Sequence, residues 1–169
     1  MAEAFNDLTL PADKATRYAA VAEEIASVLD GEPNLTARMA TVASMLASSF
    51  DHYFWTGFYV VDPDRPRELV VGPYQGSLGC LRIAFGRGVC GAAAETGRTQ
   101  LVPDVHAFPG HIACDGRSAS EVVVPVFGPD GALIAVFDVD ATEPAAFDET
   151  DAAWLETILK AAFGGSTIP

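Results

Sequence analysis

Apolar residues recur at helical spacing twice near the start of the chain. Tyr18, Val21, Ala22, Ile25 and Val28 form one stripe, opened by Leu10-Pro11-Ala12, with Thr9 as the expected cap and Gly31 as the stop. Leu35, Met39, Val42, Leu46 and Phe50 form a second stripe behind a candidate cap at Asn34. The texture then changes. Tyr53 to Asp62 is rich in aromatic and β-branched residues and predicts a strand. Pro63-Asp64-Arg65-Pro66 reads as a turn, and Glu68 to Val71 as the returning strand. Glycine recurs from Gly72 to Gly91, which predicts loops able to approach a ligand closely. A short helix over Ala92–Glu95, ended by Gly97, and a short strand over Thr99–Val102 follow. Pro103 to Ser120 lacks periodicity and reads as a long functional loop. Glu121–Phe127 and Ala132–Val139 make a hairpin around Gly128-Pro129-Asp130-Gly131. Phe147–Phe163 is a terminal helix with Asp148 as its cap. Antiparallel hairpins with helices segregated towards the two ends predict an α+β sheet domain.

A chain of 169 residues, 50% hydrophobic and 20% charged, suits one globular domain over residues 1–169, with flexible ends at 1–9 and 164–169. The net charge of −13 rests on 23 acidic side chains, while Lys14 and Lys160 are the only lysines and the arginines are scattered. Without a basic stripe, nucleic acid and anionic membrane are poor partners. Met1 to Leu10 lacks the basic start and apolar stretch of a secretory signal, and no apolar run is long enough to span a bilayer. The expected location is the cytoplasm, where thiols stay reduced.

In such a compartment the three cysteines, Cys80, Cys90 and Cys114, are inert, metal-bound or catalytic. By the strand and helix assignment all three lie in loops or at element ends, which argues against inert core positions. Cys80, Cys90, His106, His111 and Cys114 are enough ligands for zinc, but no Cys-x-x-Cys pair is present. A hydrolase pairing Cys114 with His111 would place both groups in one loop with no marked oxyanion hole. A dithiol cycle fits better. One thiolate attacks an oxidised substrate, and a second thiol on a mobile loop resolves the sulfenic acid. His111 could favour a Cys114 thiolate if charged.

Several segments resemble one family. They are Trp55-Thr56-Gly57-Phe58-Tyr59, Gly72-Pro73-Tyr74-Gln75-Gly76, Gly88-Val89-Cys90-Gly91 and Phe108-Pro109-Gly110-His111-Ile112-Ala113-Cys114-Asp115. To these are added Ser118-Ala119-Ser120-Glu121 with Val122-Val123-Val124-Pro125, and Asp138-Val139-Asp140. Over Asn34 to Phe163 the chain resembles the free methionine-(R)-sulfoxide reductases, single-domain members of the GAF superfamily. The resemblance implies a GAF-like antiparallel sheet of about six strands flanked by helices. It implies reduction of free L-methionine-(R)-sulfoxide, with no bound cofactor or metal. Thioredoxin would be the external reductant, fed by NADPH through thioredoxin reductase. By position, Cys114 matches the attacking cysteine and Cys80 the resolving one, while Cys90 matches an attacker or auxiliary thiol. A homodimer is expected. The alternative is a non-catalytic GAF domain that senses a small molecule or redox state.

Expelling the sulfoxide oxygen requires an acid. Glu121, Asp138 and Asp140 are the candidates. Asp138 and Asp140 share a strand face, and the hairpin brings Glu121 to the same end. Crowded acids would raise at least one pKa and hold the substrate ammonium. Trp55 and Tyr59, on one face of their strand, would wall the methyl group.

Overall fold

The first two helices carry the stripes read from the sequence. The computed structural model describes residues 9–112 and 114–165. Helix α1 spans Lys14–Val28 and α2 spans Leu35–Ser49. Asn34 caps α2 as expected, its side chain accepting from the Ala37 N–H. Thr9 does not cap α1. Asp13 does, because its carboxylate accepts from the Thr16 N–H at 2.9 Å while its carbonyl accepts from the Arg17 N–H. The Leu10-Pro11-Ala12 segment therefore precedes the helix and does not open it.

Among the described residues, six strands form one antiparallel sheet, as expected. They are β1 (Trp55–Asp62), β2 (Arg65–Gln75), β3 (Arg82–Ala84), β4 (Gln100–Val102), β5 (Ser120–Phe127) and β6 (Leu133–Ala141), in the order β3-β2-β1-β6-β5-β4. Helix α3 (Gly88–Thr96) lies between β3 and β4, and α4 (Glu149–Phe163) closes the described fold. The Asp148 side chain and Asp151 form a reciprocal capping box at the start of α4.

Three sequence readings need correction. The returning strand is not confined to Glu68–Val71. It runs to Gln75, because Gly72 to Gln75 continue the ladder with β1 up to the Thr56–Gln75 pair. The glycine-rich stretch is therefore only partly loop. The short helix starts at Gly88, four residues earlier than its propensity signals, so Cys90 lies in its first turn and not in a loop. Gly91 permits this. A Cβ there would stand 2.5 Å from the Ala84 carbonyl oxygen, where the helix rests on the end of β3. The long loop holds a 3₁₀ turn at Val105–Ala107. Of the expected flexible ends, all but Thr9, Gly164 and Gly165 lie outside the described residues.

Strand alternation divides the apolar residues into two layers. One face of the sheet presents Phe58, Val122, Val124, Phe137 and Val139 to α1, α2 and α4. The other presents Trp55, Tyr59, Val123 and Val136 to α3, which contributes Val89, Cys90 and Ala93. The second layer is the smaller, and the pocket opens there. Among the described residues no helix is long and apolar enough to cross a membrane.

Candidate functional site

The pocket floor follows from strand register. Glu121 pairs with Asp140 across β5 and β6, Val123 with Asp138, Gly57 with Asp138, and Trp55 with Asp140. Residues opposite one another share a face, and so do residues two apart. Glu121, Asp138, Asp140, Trp55 and Tyr59 therefore all point to the α3 side. They line a pocket of about 40 Å³ with Cys90, His111, Ile112 and Cys114. Cys80 does not line it directly, but is joined to Cys114 by a disulfide with Cα atoms 5.2 Å apart. All eight residues singled out from the sequence are thus gathered at one place.

Three carboxyls at this floor perturb one another. Glu121 and Asp138 are buried, at 6% and 7% exposure. Burial, then the charge of Asp140, pushes Glu121 well above the usual carboxyl range. Burial and the charges of Asp140 and Glu121 do the same to Asp138, against a smaller opposing effect from its hydrogen bond with Cys90. Asp140 is raised to about 6, by burial first and against a hydrogen bond from Ser118. Such a trio holds at least one proton near neutral pH and can donate it. The Cys90 thiol donates to Asp138 Oδ2 at 3.3 Å. Its pKa is driven far up, by burial and then by the charges of Asp138 and Glu121. Cys90 is therefore a poor thiolate at neutral pH while it faces these acids.

His111 occupies a different place from the one assumed. Its Nε2 stands 3.5 Å from Glu121 Oε2, and burial with the nearby charge of His106 lowers its pKa. It thus favours its neutral form and faces the acid trio. Charge on His111 is not a ready means of activating Cys114.

The walls come from β1 and the two cysteine loops. The Trp55 and Tyr59 rings stack with centroids 5.4 Å apart, and Trp55 stacks on Tyr74 at 5.0 Å. The Trp55 Nε1–H donates to the Ser77 carbonyl at 3.0 Å. Gly79 lies directly over this pair. A Cβ there would be 2.9 Å from the Tyr59 hydroxyl and 3.1 Å from the Trp55 ring. The glycine lets the Cys80 loop lie flat on the aromatic wall.

Sequence reasoning gave no separate role to the clasp between these loops. The Ser77 hydroxyl donates to Asp115 Oδ2 at 2.7 Å, tying the segment before Cys80 to the residue after Cys114. Arg117 grips both Asp115 oxygens, at 3.0 and 2.7 Å, and sits 4.6 Å above the Phe54 ring. The Arg117 side chain, the Ser77 hydroxyl and the Arg117 backbone N–H hold the Asp115 carboxyl well below the usual range. No local pattern announces a contact that joins two loops of different sequence regions.

The chain is similar to known proteins over most of its length. A profile of the GAF domain family matches residues 32–162. GAF domain-containing protein A of Dictyostelium discoideum is 45% identical over 147 residues, covering 87% of this chain and 90% of that one. The free methionine-R-sulfoxide reductase of Saccharomyces cerevisiae is 41% identical over 135 residues, covering 78% of this chain and 75% of that one. The X-ray structure of free methionine-R-sulfoxide reductase from Neisseria meningitidis in complex with its substrate matches with a TM-score of 0.86 and 48% identity, over 92% of each chain. With the two cysteines bonded beside a floor of three acids, the chain belongs to the GAF domain family and, within it, to the free methionine-(R)-sulfoxide reductases.

Proposed function

We propose that this protein reduces free L-methionine-(R)-sulfoxide to L-methionine through a cysteine sulfenic acid and a disulfide. The observation that carries this reading is the Cys80–Cys114 disulfide at the mouth of the acid-floored pocket. Cys114 lines the pocket and Cys80 lies behind it, so Cys114 is assigned the attack and Cys80 the resolution. The Cys114 sulfur attacks the sulfoxide sulfur. A proton from the Glu121–Asp138–Asp140 trio goes to the sulfoxide oxygen, and the S–O bond breaks. The net transfer leaves methionine and Cys114 sulfenic acid. The Cys80 thiol then displaces the oxygen as water, forming the disulfide.

Thioredoxin restores both thiols by exchange, with electrons from NADPH through thioredoxin reductase, and no bound cofactor takes part. The ionised members of the trio attract the substrate ammonium. Trp55 and Tyr59 hold the methyl side, and a pocket that closes on both the ammonium and carboxylate ends would take a free amino acid and reject a peptide. Cys90, held as a thiol by Asp138, acts as an auxiliary group at the floor. Acidity, reduced thiols and such a partner fit a cytoplasmic homodimer.

The test is NADPH consumption with thioredoxin, thioredoxin reductase and each diastereomer of free methionine sulfoxide. Turnover of the R form alone is expected, and no turnover would refute the reading. Tight nucleotide binding without turnover would instead identify a sensing GAF domain. Cys114→Ser removes the first turnover, whereas Cys80→Ser keeps it and blocks recycling. Loss of the first turnover in Cys90→Ser alone would reassign the attacking cysteine.

A further inference from the structure

Cys90 Sγ, one Glu121 carboxylate oxygen and one Asp138 carboxylate oxygen all lie within 4.8 Å of one another. All three side chains are buried and line the pocket floor. Asp138 Oδ1 has no hydrogen-bond partner, although the residue is only 7% exposed. A buried carboxyl oxygen without a partner is costly, and its lone pairs are free to bind a ligand. His111 Nε2, 3.5 Å from Glu121 Oε2, offers a fourth donor from the covering loop.

We propose that this floor is a binding site for a thiophilic divalent cation of the zinc class, which takes the place of the substrate ammonium and blocks the pocket. Zinc binds sulfur at about 2.3 Å and carboxylate oxygen at about 2.0–2.2 Å. Those lengths and a tetrahedral angle put neighbouring donors roughly 3.5 Å apart. Cys90 Sγ and Asp138 Oδ2, at 3.3 Å, already meet that spacing. Binding releases the Cys90 thiol proton and any proton on the two carboxyls. The resulting thiolate favours zinc-like ions over magnesium, which prefers oxygen donors alone. The ligand set differs from the zinc set set aside on sequence spacing, because the fold assembles it from β5, β6 and the first turn of α3 and it uses neither disulfide cysteine. Cys90 is the remaining free cysteine, so the site persists while Cys80 and Cys114 are bonded.

That independence gives a clean test. Cobalt(II), which reports thiolate ligation by a charge-transfer absorption, is titrated into the protein held in its Cys80–Cys114 disulfide form. Saturation at one equivalent with the thiolate band is expected, reversed by zinc but not by magnesium. Cys90→Ser should lose the band, and Asp138→Asn should keep it. Each should weaken cobalt binding by more than the roughly 10–100-fold that loss of an outer-shell partner causes. Cobalt bound without the band by the unaltered protein, or unchanged affinity in the folded variants, would overturn the site. The blocking role rests on the reductase reading. In the Cys80→Ser/Cys114→Ser double variant, free methionine-(R)-sulfoxide should weaken cobalt binding. Sulfoxide that binds the metal-free double variant without displacing cobalt would refute the blocking role. Sulfoxide that does not bind even there would count against the reductase reading.

Discussion

Asp140 carries opposite consequences for stability and for activity. Its pKa is about 6 in the fold, against about 3.9 for an unperturbed aspartate. Between those values the unfolded chain has released its proton and the native state has not. Stability therefore falls as pH rises from about 4 to about 6 and stays lowered above that. Asp140→Asn should remove this part of the slope and raise stability at neutral pH, read from urea unfolding at several pH values. The same variant should slow single-turnover reduction, because it takes one member from the proton-holding trio. Sites arranged for function are commonly strained in this way. The coupled carboxyls titrate as a group, so the pH profile of the first turnover reports the trio and not one residue. That rate should fall once pH passes the last carboxyl of the trio, since the donor proton is then gone.

The two cysteine loops are held by contacts outside the chemistry. Trp55 anchors the Ser77 carbonyl, and Ser77 anchors Asp115. Cutting the second contact leaves the pocket floor intact. Ser77→Ala should therefore slow disulfide formation after the first turnover and leave Asp115 with Arg117. A net loss of about 1.5–3 kcal/mol in loop pairing is expected for one such hydrogen bond to a charged group. Quench-flow trapping of free thiols after mixing with substrate measures it, and an unchanged resolution rate would show that the clasp positions nothing. Gly79→Ala acts on the same loop by another route, since its methyl group would press on Tyr59 and Trp55.

Across the molecule, the sheet separates a large structural layer from a smaller functional one. The larger side packs α1, α2 and α4 on fully buried residues such as Leu46, Phe137 and Leu155. Leu155→Ala should cost about 2–5 kcal/mol of stability by leaving a cavity, measured by urea unfolding. Its catalytic effect should be small, because Leu155 lies on the face away from the pocket. The helical stripes, the Asn34 and Asp148 caps and the β5–β6 hairpin were legible along the chain because each depends on neighbours a few residues apart. Local order also placed Asp138 and Asp140 on one face. By contrast, the start of α3 depends on Gly91 meeting Ala84, and the cap of α1 on which of two polar residues the first free N–H groups meet.

Sequence alone thus accounted for the residue types of the site and for the strand faces that Asp138 shares with Asp140 and Trp55 with Tyr59. The resemblance of its motifs supplied the roles of the cysteines. Tertiary structure decided how those residues meet. Register placed Glu121 against Asp140 and left Asp138 beside Cys90. It turned His111 towards Glu121, contrary to the role expected of it. The physical reason is range. Periodicity and capping are set within a turn or a hairpin, whereas a pKa depends on every charge and every water-excluding group that the completed fold brings near it.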